Sequence, residues 1–472
     1  MNIDEAQIRT IVQEVVKGIG GGLPARQGAS ESGDDGIFQE MEACIAAAAI
    51  AQRALMELTL EKRKEIIEAI RRVGVENAED FSQRTWEETG MGRVQDKIRK
   101  HHIAAMLTPG IEDLQTHAWS GDHGLTTVEM APYGVIGAIT PSTHPVPTMI
   151  NNAISMISAG NAVVFNPHPG AKNVAAYGLQ KIHRGIVAAG GPPNLLTAVA
   201  DPTIETGKVL FSHRQIRLLM VTGGPMVVKV AMASGKKTIA AGPGNPPVVV
   251  DETADIPKAA RDIVAGATFD NNILCIAEKE IFVVASVADQ LKQELLKNNS
   301  FELNRAQIDA LAKKVFHETK SGHHAVNRQF VGCNASVLAR EIGVTVDPSV
   351  RLLIGETDFD HVFVQEEQMM PFLPITRVRD VEEGITLAIR AEHGYGHTAI
   401  MHSRNVANMS NMAKRVNTSI FVKNGPSSAG LGIGGEGFPS FSIAGPTGEG
   451  ITSARTFTRQ RRCALVDYFH IV

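Results

Sequence analysis

The sequence predicts an α/β protein with two Rossmann-like, parallel-sheet domains, a small β element and a tethered N-terminal amphipathic helix. Two observations indicate the parallel sheets. The apolar runs VIGAI, NAVVF, LLTAV and LLMV alternate with helical segments over residues 135–234, and a second alternating half begins near residue 246. Such alternation is typical of βαβ units. A third observation, the Gly- and Ser-rich stretch after residue 20, separates the first helix from the rest of the chain.

The N-terminal segment, residues 1–20, has helical periodicity with a single apolar stripe. The stripe consists of Ile8, Ile11, Val12, Val15, Val16 and Ile19. Residues 21–37 contain almost nothing that could be buried, which predicts a flexible linker. Because an isolated helix of this length is only marginally stable in water, we expect it to dock on a partner, and packing against its own chain is the alternative.

From residue 38 to 115 the apolar spacing is helical. Around residues 60–74 the positions spaced for a buried face are Leu60, Ile66, Ile67, Ile70 and Val73. This stretch and the alternating segments of residues 132–243 are assigned to a dinucleotide-binding domain. Residues 244–445 are assigned to a catalytic domain, with a strand at 246–251, a helix at 255–267, a strand at 280–285 and a helical run at 287–318.

Bulk composition limits the classes of partner. The net charge is −4 and the sequence pI is about 6.5, so we expect no nucleic acid. There is no apolar run of about 18 residues for a membrane span, and the acidic N-terminus is unlike a secretory signal. The cysteines at positions 44, 275, 333 and 463 lie far apart, so neither a disulfide framework nor a metal site is expected. These features predict a cytoplasmic protein that acts on small molecules.

Three turns at predicted C-terminal strand ends are candidates for nucleotide binding. They contain Thr222-Gly223-Gly224, Thr140-Pro141 and Asn166-Pro167-His168. Glycines let a backbone approach a phosphate, and open α/β sheets bind ligands at this edge. The GxGxxG fingerprint is absent, so plain strand-to-helix turns remain the alternative. The Gly-rich segment 424–450 carries Leu, Ile and Phe and is predicted to be an ordered loop that lines a site, with a plain linker as the alternative.

Cys275 is the candidate nucleophile. It follows the pair Asn271-Asn272, which is suited to a turn that presents a thiol. Glu367 is a candidate ribose ligand, and His397 is a candidate polar partner for a thiol. For each of them a structural role is the alternative, because a lone cysteine is usually a buried thiol and lone polar residues usually face solvent.

These segments together resemble the aldehyde dehydrogenase superfamily from about residue 38 to the end. The elements in register are PSTHP, NAVVFNPHP, VTGGP, AAGPGNPP, the segment around Cys275, and EEQMMPFLP. The departures are informative. Where hydrolytic members carry the glutamate that activates water, this chain has Ala240. It has Thr143 in place of the oxyanion-hole asparagine and Asn166 in place of the adenosine-ribose lysine. In these substitutions the chain is similar to the CoA-acylating branch.

The resemblance implies that Cys275 adds to an aldehyde, that hydride passes to NAD, and that coenzyme A accepts the resulting acyl group. The oxyanion would be held by the Cys275 backbone N–H and Thr143, and His397 would assist the CoA thiol. A thiol of pKa about 8.5 needs less activation than water of pKa about 15.7, so CoA can attack without the missing glutamate. The cofactor-binding residues implied are Thr140, Pro141, Asn166, His168, Thr222, Gly223, Gly224 and Glu367.

Within the superfamily the resemblance is greatest to the propionaldehyde and acetaldehyde dehydrogenases of bacterial microcompartments, in which such a helix is an encapsulation peptide. It implies a location in the microcompartment lumen, with shell proteins bound through residues 1–20. It also implies a homodimer or homotetramer built on residues 116–131 and 446–472. Both short aldehydes remain open as substrate. A hydrolytic NAD(P)-dependent aldehyde dehydrogenase and a non-catalytic microcompartment cargo protein are the alternatives.

Overall fold

The computed structural model describes residues 33–319 and 324–471. The predicted N-terminal helix and most of the predicted linker lie outside the described residues. The end of that linker belongs to the folded body, because Ile37–Phe38 forms strand β1, which pairs in parallel with β6 (Leu196–Val199). Phe38 is buried in the core of the first domain, so burial of apolar surface draws this end of the linker onto the sheet.

A helical layer follows β1, as the periodicity predicts. Its helices are α1 (Met41–Met56), α2 (Leu60–Glu76), α3 (Ala78–Thr89) and α4 (Val94–Leu107). Helix α2 buries Ile66, Ile67 and Ile70, as expected from their spacing. Leu60, which was predicted on the same face, is 58% exposed. It occupies the first turn of α2, ahead of the residues that pack against the core.

The first sheet is parallel, with strand order β1-β6-β5-β4-β7-β8. Its other strands are β4 (Val135–Thr140), β5 (Ala162–Pro167), β7 (Ile216–Thr222) and β8 (Thr238–Ala241). The connecting helices are α5 (Pro145–Ser158), α6 (Lys172–Ala188), α7 (Ile204–Ser212) and α8 (Pro225–Met232). The predicted alternation of residues 135–234 is confirmed. The strands are almost entirely buried, as a sheet covered on both faces requires.

The second sheet is also parallel, with strand order β11-β14-β15-β10-β9-β16-β17. Its strands are β9 (Pro247–Val250), β10 (Glu280–Val284), β11 (Ser300–Glu302), β14 (Leu352–Glu356), β15 (Phe372–Val378), β16 (Thr398–His402) and β17 (Ile420–Lys423). The helices of this half are α9 (Ile256–Ala267), α10 (Ala285–Lys297), α11 (Arg305–Val315), α12 (Ala335–Glu341), α13 (Val362–Gln365), α14 (Val381–Ala391) and α15 (Val406–Val416). Two parallel sheets therefore stand in sequence, as expected.

The predicted helical run at 287–318 is wrong in one respect, because it is divided. Helix α10 ends at Lys297, strand β11 intervenes, and α11 ends at Val315. Asn299 has φ of 60°, a left-handed backbone that an α-helix cannot contain. After α11 the chain forms β12 (Phe316–Glu318), which pairs antiparallel with β13 (His324–Val326).

An antiparallel sheet of order β2-β3-β20 projects from the domains. It consists of β2 (His117–Gly121), β3 (Gly124–Pro132) and β20 (Thr458–Val466), within the two stretches that the resemblance assigns to oligomerisation. Residues 459–466 of β20 are exposed. A short pair, β18 (Ile443–Ala444) and β19 (Gly450–Ile451), precedes it. Among the described residues, no helix is long and apolar enough to span a bilayer.

Candidate active site

A cavity of about 750 Å³ lies at the carboxyl ends of the first sheet and extends to Cys275 of the second half. Its wall includes one residue from the carboxyl end of each of β4, β5, β7 and β8. In that order they are Thr140, Asn166, Thr222 and Ala241. Open parallel sheets bind ligands at this edge because the loops diverge there. The cavity therefore joins the predicted nucleotide turns to the predicted nucleophile.

All of the sequence-predicted cofactor residues line this cavity. They are Thr140, Pro141, Asn166, His168, Thr222, Gly223, Gly224 and Glu367. Gly224 is the N-cap of α8 and makes no side-chain cap, and a Cβ added there would meet nothing within 4 Å. The free N–H groups of the first turn of α8 and the open space beside them fit a phosphate group of a dinucleotide.

Asn166 is already engaged by its neighbours. Its Oδ1 accepts a hydrogen bond from the Thr206 hydroxyl at 2.7 Å, and its Nδ2 donates to the Thr203 carbonyl at 3.5 Å. These contacts orient the amide toward the start of α7. They leave Asn166 on the cavity wall with its amide held in place.

The Gly-rich segment 424–450 is ordered and lines the cavity through Phe441 and Ile443. The hydroxyls of Thr222 and Ser442 lie 2.7 Å apart, which ties the end of β7 to this segment. The prediction of an ordered lining loop is confirmed, and the linker alternative is wrong.

The turn before Cys275 has an unusual backbone. Asp270, Asn271 and Asn272 have φ of 50°, 55° and 66°, so three consecutive residues are left-handed. Each such residue costs about 1 kcal/mol or more unless its surroundings hold it. Here Asn271 Nδ2 donates to the Gly332 carbonyl at 2.8 Å, and Asn272 Nδ2 donates to the Ala267 carbonyl at 2.8 Å. The turn that presents the thiol is therefore fixed by its own side chains.

The Cys275 thiol lines the cavity. Burial raises the pKa of the thiol to about 12, and the nearby charge of Glu367 acts in the same direction. The ammonium of Lys279 opposes both. Desolvation therefore outweighs the effect of the single cation on the pKa of this thiol.

Two carboxylates line the cavity among the described residues, those of Glu88 and Glu367. Glu88 accepts hydrogen bonds from the N–H groups of Asn173 and Val174 at 2.9 and 2.7 Å, so it serves the start of α6. Burial raises the pKa of Glu367 to about 7. Ala240 is fully buried, and no carboxylate reaches the cavity from that position.

Thr143 lines the cavity beside His144, the N-cap residue of α5. Thr143 Oγ1 lies 2.9 Å from His144 Nδ1, and the Thr143 carbonyl accepts a hydrogen bond from Lys100 at 3.2 Å. Burial, and then the charges of Lys100 and Lys97, hold the pKa of His144 well below its usual value. A neutral imidazole is thus the neighbour of the Thr143 hydroxyl.

His397 does not line the cavity. It is 1% exposed, and its ring lies behind Gly244, where an added Cβ would be 2.9 Å from His397 Cγ and 2.7 Å from the Cys275 carbonyl oxygen. Burial lowers the pKa of His397 to about 4, with Lys279 acting in the same direction. Its Nδ1 lies 2.8 Å from the Thr398 hydroxyl. The structure therefore puts this ring beside the backbone of Cys275 and leaves Thr143 and Cys275 facing the cavity.

Sequence reasoning missed a buried ionic cluster next to these residues. It consists of Lys97 and Lys100 on α4 and Asp270 in the left-handed turn. Lysines three residues apart on a helix usually belong to a solvated face, so the pattern gave no signal. Among the described residues, no group of His, Cys, Asp and Glu is arranged to hold a metal ion.

The fold and the site together define the class of protein to which this chain belongs. This is an α/β protein in which the phosphate-binding edge of one parallel sheet and a cysteine from a second parallel-sheet half share one cavity. The chain belongs to the aldehyde dehydrogenase family, whose sequence profile matches residues 34–438.

Individual relatives cover nearly the whole chain. The acetaldehyde dehydrogenase (acetylating) EutE of Salmonella typhimurium is 50% identical over 448 residues, which are 94% of this chain and 96% of the relative. A propionaldehyde dehydrogenase from the fucose utilisation microcompartment of Clostridium phytofermentans superposes with a TM-score of 0.90 at 46% identity, covering 93% of this chain and 100% of its own. The Rhodopseudomonas palustris propionaldehyde dehydrogenase with bound CoA and an acylated cysteine gives 0.89 at 48% identity, with 92% and 98% covered.

Proposed function

We propose that this protein is a CoA-acylating aldehyde dehydrogenase. It converts a short aliphatic aldehyde, NAD+ and CoA to acyl-CoA, NADH and a proton, with a thioester on Cys275 as the intermediate. The observation that carries the proposal is the cavity that joins Cys275 to the nucleotide turns while the base position is taken by the buried Ala240. The relatives with acetylating activity and with bound CoA support it.

The residues of the cavity have two tasks, which are to bind the cofactor and to carry out the chemistry at Cys275. The first turn of α8 at Gly224 would hold a phosphate group, and Glu367, which lines the same cavity, would contact the ribose. NAD+ accepts the hydride when bound. The Cys275 thiolate adds to the aldehyde carbon, and the Thr143 hydroxyl and the Cys275 N–H donate to the oxygen that becomes negative. The CoA thiol then loses its proton and its sulfur attacks the thioester carbon. The bond from that carbon to the Cys275 sulfur breaks, and the Cys275 thiolate leaves.

We assign His397 a role in the acyl-transfer half of the cycle. Its Nε2 has no hydrogen-bond partner among the described residues, and its ring lies beside Gly244, in the loop between β8 and β9. A neutral imidazole can take the proton of an incoming thiol. Because the ring lies behind the wall at Gly244, this task requires either a water that bridges His397 and the CoA thiol or a small shift of the Gly244 loop.

A hydrolytic aldehyde dehydrogenase is the second candidate. Glu367 favours it, because a carboxyl group of pKa about 7 beside the thiol is suited to general-base work. The two candidates differ in what deacylates the enzyme. A hydrolytic enzyme turns over in water, whereas an acylating enzyme stops after one NADH per site until CoA is added.

NADH formation from propionaldehyde is therefore measured with and without CoA. We expect a burst of one NADH per site without CoA and continuous turnover with it. Cys275→Ser should abolish the burst, whereas Cys333→Ser, which changes a cysteine outside the cavity, should retain it. Continuous turnover without CoA would overturn the proposal in favour of hydrolysis.

We further propose that the chain is a microcompartment enzyme that assembles as a dimer or tetramer. The apolar stripe of residues 1–20 and the Gly-rich linker support docking to a shell protein, and the Clostridium relative comes from such a compartment. The exposed strand β20 and its neighbour β3 supply an edge and a face for association between copies.

A further inference from the structure

Three charged side chains are buried behind the cavity wall. The side chains of Lys97 and Lys100 are 2% and 1% exposed, and that of Asp270 is 0% exposed. Lys97 Nζ lies 3.1 Å from Asp270 Oδ2, and Lys100 forms an ion pair with the same oxygen. The other oxygen, Oδ1, accepts a hydrogen bond from the Arg93 N–H at 2.6 Å. Both oxygens of the carboxylate therefore have partners.

The cluster carries more positive than negative charge. Burial would raise the pKa of Asp270, but the two ammonium groups lower it, so the carboxyl group is ionised. Burial and the charge of Lys100 lower the pKa of Lys97 to about 8, so Lys97 is mostly protonated at neutral pH. Asp96, the neighbouring acid on α4, also acts on Lys97, but it pairs with a further cation, Arg351, at 3.2 Å. Two cations thus share one anion in a site without solvent.

This excess charge lies next to the part of the cavity where an oxyanion is expected. Lys100 donates to the Thr143 carbonyl at 3.2 Å, and both lysines lower the pKa of His144. The N-terminal end of α5 begins at the same point, and the partial positive charge of a helix N-terminus adds to that of the cluster. Both lysines pair with Asp270, so the three side chains together carry one more positive than negative charge. An excess buried charge is costly in an ordinary core, and an anion formed nearby would offset that cost.

We propose that the excess positive charge of this cluster, to which Lys97 contributes, stabilises the oxyanion formed at Thr143 when the Cys275 thiolate adds to the aldehyde. Lys97 acts through the electrostatic potential and does not touch the substrate. Lys100 also orients the Thr143 carbonyl, whereas Lys97 contacts Asp270 and can be neutralised without losing that hydrogen bond. This inference rests on the proposed function, because it takes Thr143 and Cys275 as the site of addition.

The test separates charge from packing. Lys97→Gln keeps a donor for Asp270 and most of the side-chain length but removes the charge. Lys97→Arg keeps the charge. The rate of the NADH burst is measured in a single turnover with NAD+ and propionaldehyde in the absence of CoA. We expect Lys97→Gln to slow the burst about tenfold, the effect of one charge that acts from roughly 12 Å through an effective dielectric of about 20. Lys97→Arg should slow it less than threefold.

Thermal unfolding supplies a readout that a structural role would not give. Removing an excess buried charge should leave the melting temperature of Lys97→Gln unchanged or higher, whereas a lysine that merely holds the fold together would lower it. The exposed Lys64 is the matched control, and Lys64→Gln should alter neither quantity. If Lys97→Gln does not fold, Lys97→Met is measured in its place with the same expectations.

The proposal is overturned if the neutral variant keeps the wild-type burst rate. It is also overturned if Lys97→Arg loses as much as Lys97→Gln, or if slowing is accompanied by a lower melting temperature. The burst precedes acyl transfer, so its rate does not depend on whether CoA or water is the final acceptor. Continuous turnover without CoA would therefore refute the proposed function, but the effect of the Lys97 variants on the first turnover of NADH could still be measured.

Discussion

The ammonium of Lys279 donates a hydrogen bond to the backbone carbonyl of Asn272 at 2.9 Å and another to the Leu274 carbonyl at 3.3 Å. One buried side chain thus holds the turn that leads to Cys275. We expect Lys279→Met to lower the free energy of unfolding by about 2–4 kcal/mol, because buried carbonyls lose their donor. Urea unfolding measures this change. Lys64→Met, at an exposed position, is the control, and equal stability of the two variants would contradict the prediction.

Glu367 should control the pH dependence of Cys275 reactivity. Its carboxylate raises the pKa of the thiol, and its own pKa is raised to about 7. Glu367 is therefore charged, and suppresses the thiolate, only above about pH 7. We expect Glu367→Gln to alkylate faster than wild type at pH 8 to 9, and the two proteins to converge below about pH 6. Iodoacetamide labelling followed by mass spectrometry measures the rates.

Cys333 serves as the internal reference for that experiment, since burial and then Glu341 raise the pKa of its thiol. Its labelling should not change in Glu367→Gln. A uniform difference at every pH would mean that the glutamine alters access to the sulfur and not its ionisation.

Gly244 should tolerate no side chain. A Cβ there would lie 2.7 Å from the Cys275 carbonyl oxygen and 2.9 Å from His397 Cγ. We expect Gly244→Ala to displace the nucleophile loop, reducing kcat at least tenfold and the free energy of unfolding by about 1–3 kcal/mol. Gly121→Ala, where nothing lies within 4 Å, should match wild type in both. Full activity of Gly244→Ala would show that the loop adapts freely.

Deleting residues 1–20 should separate catalysis from localisation. The described fold begins at residue 33 with the chain that leads into β1, so the truncated enzyme should keep its kcat within about twofold and its melting temperature. Association with microcompartment shells, followed by co-purification, should be lost. A version that retains residues 1–20 but replaces Ile8, Ile11 and Val15 with serine tests whether the apolar stripe is responsible. Loss of folding on truncation would contradict the prediction.

Sequence periodicity predicted the first sheet well because its strands and helices alternate in short, sharply bounded segments. VIGAI and NAVVF became β4 and β5 with the expected helix between them. Turn residues at the strand ends likewise predicted the cavity wall, because the carboxyl ends of parallel strands meet at one edge. Periodicity failed at Asn299, where a single left-handed residue divides what otherwise looks like one helix.

The burial of the lysine–aspartate cluster and the position of the His397 ring could not be predicted from the sequence, because both depend on contacts between distant segments. Lys97 and Asp270 are separated by 173 positions, and nothing in either neighbourhood marks them as partners. His397 follows a glycine-rich turn that looks like part of an open site, yet the fold places its ring behind Gly244. The pKa of Cys275 could not be predicted either, since it depends on how much solvent the assembled walls exclude.

The left-handed run of Asp270, Asn271 and Asn272 also limits how this enzyme can be redesigned. Glycine adopts that backbone most cheaply, so a method that scores local conformation alone would favour it at all three positions. Glycine, however, has neither the carboxylate that meets two lysines nor the amides that reach neighbouring segments. The left-handed backbone is retained at a cost because the side chains of this run connect α4 and the Gly332 segment to the turn that carries Cys275.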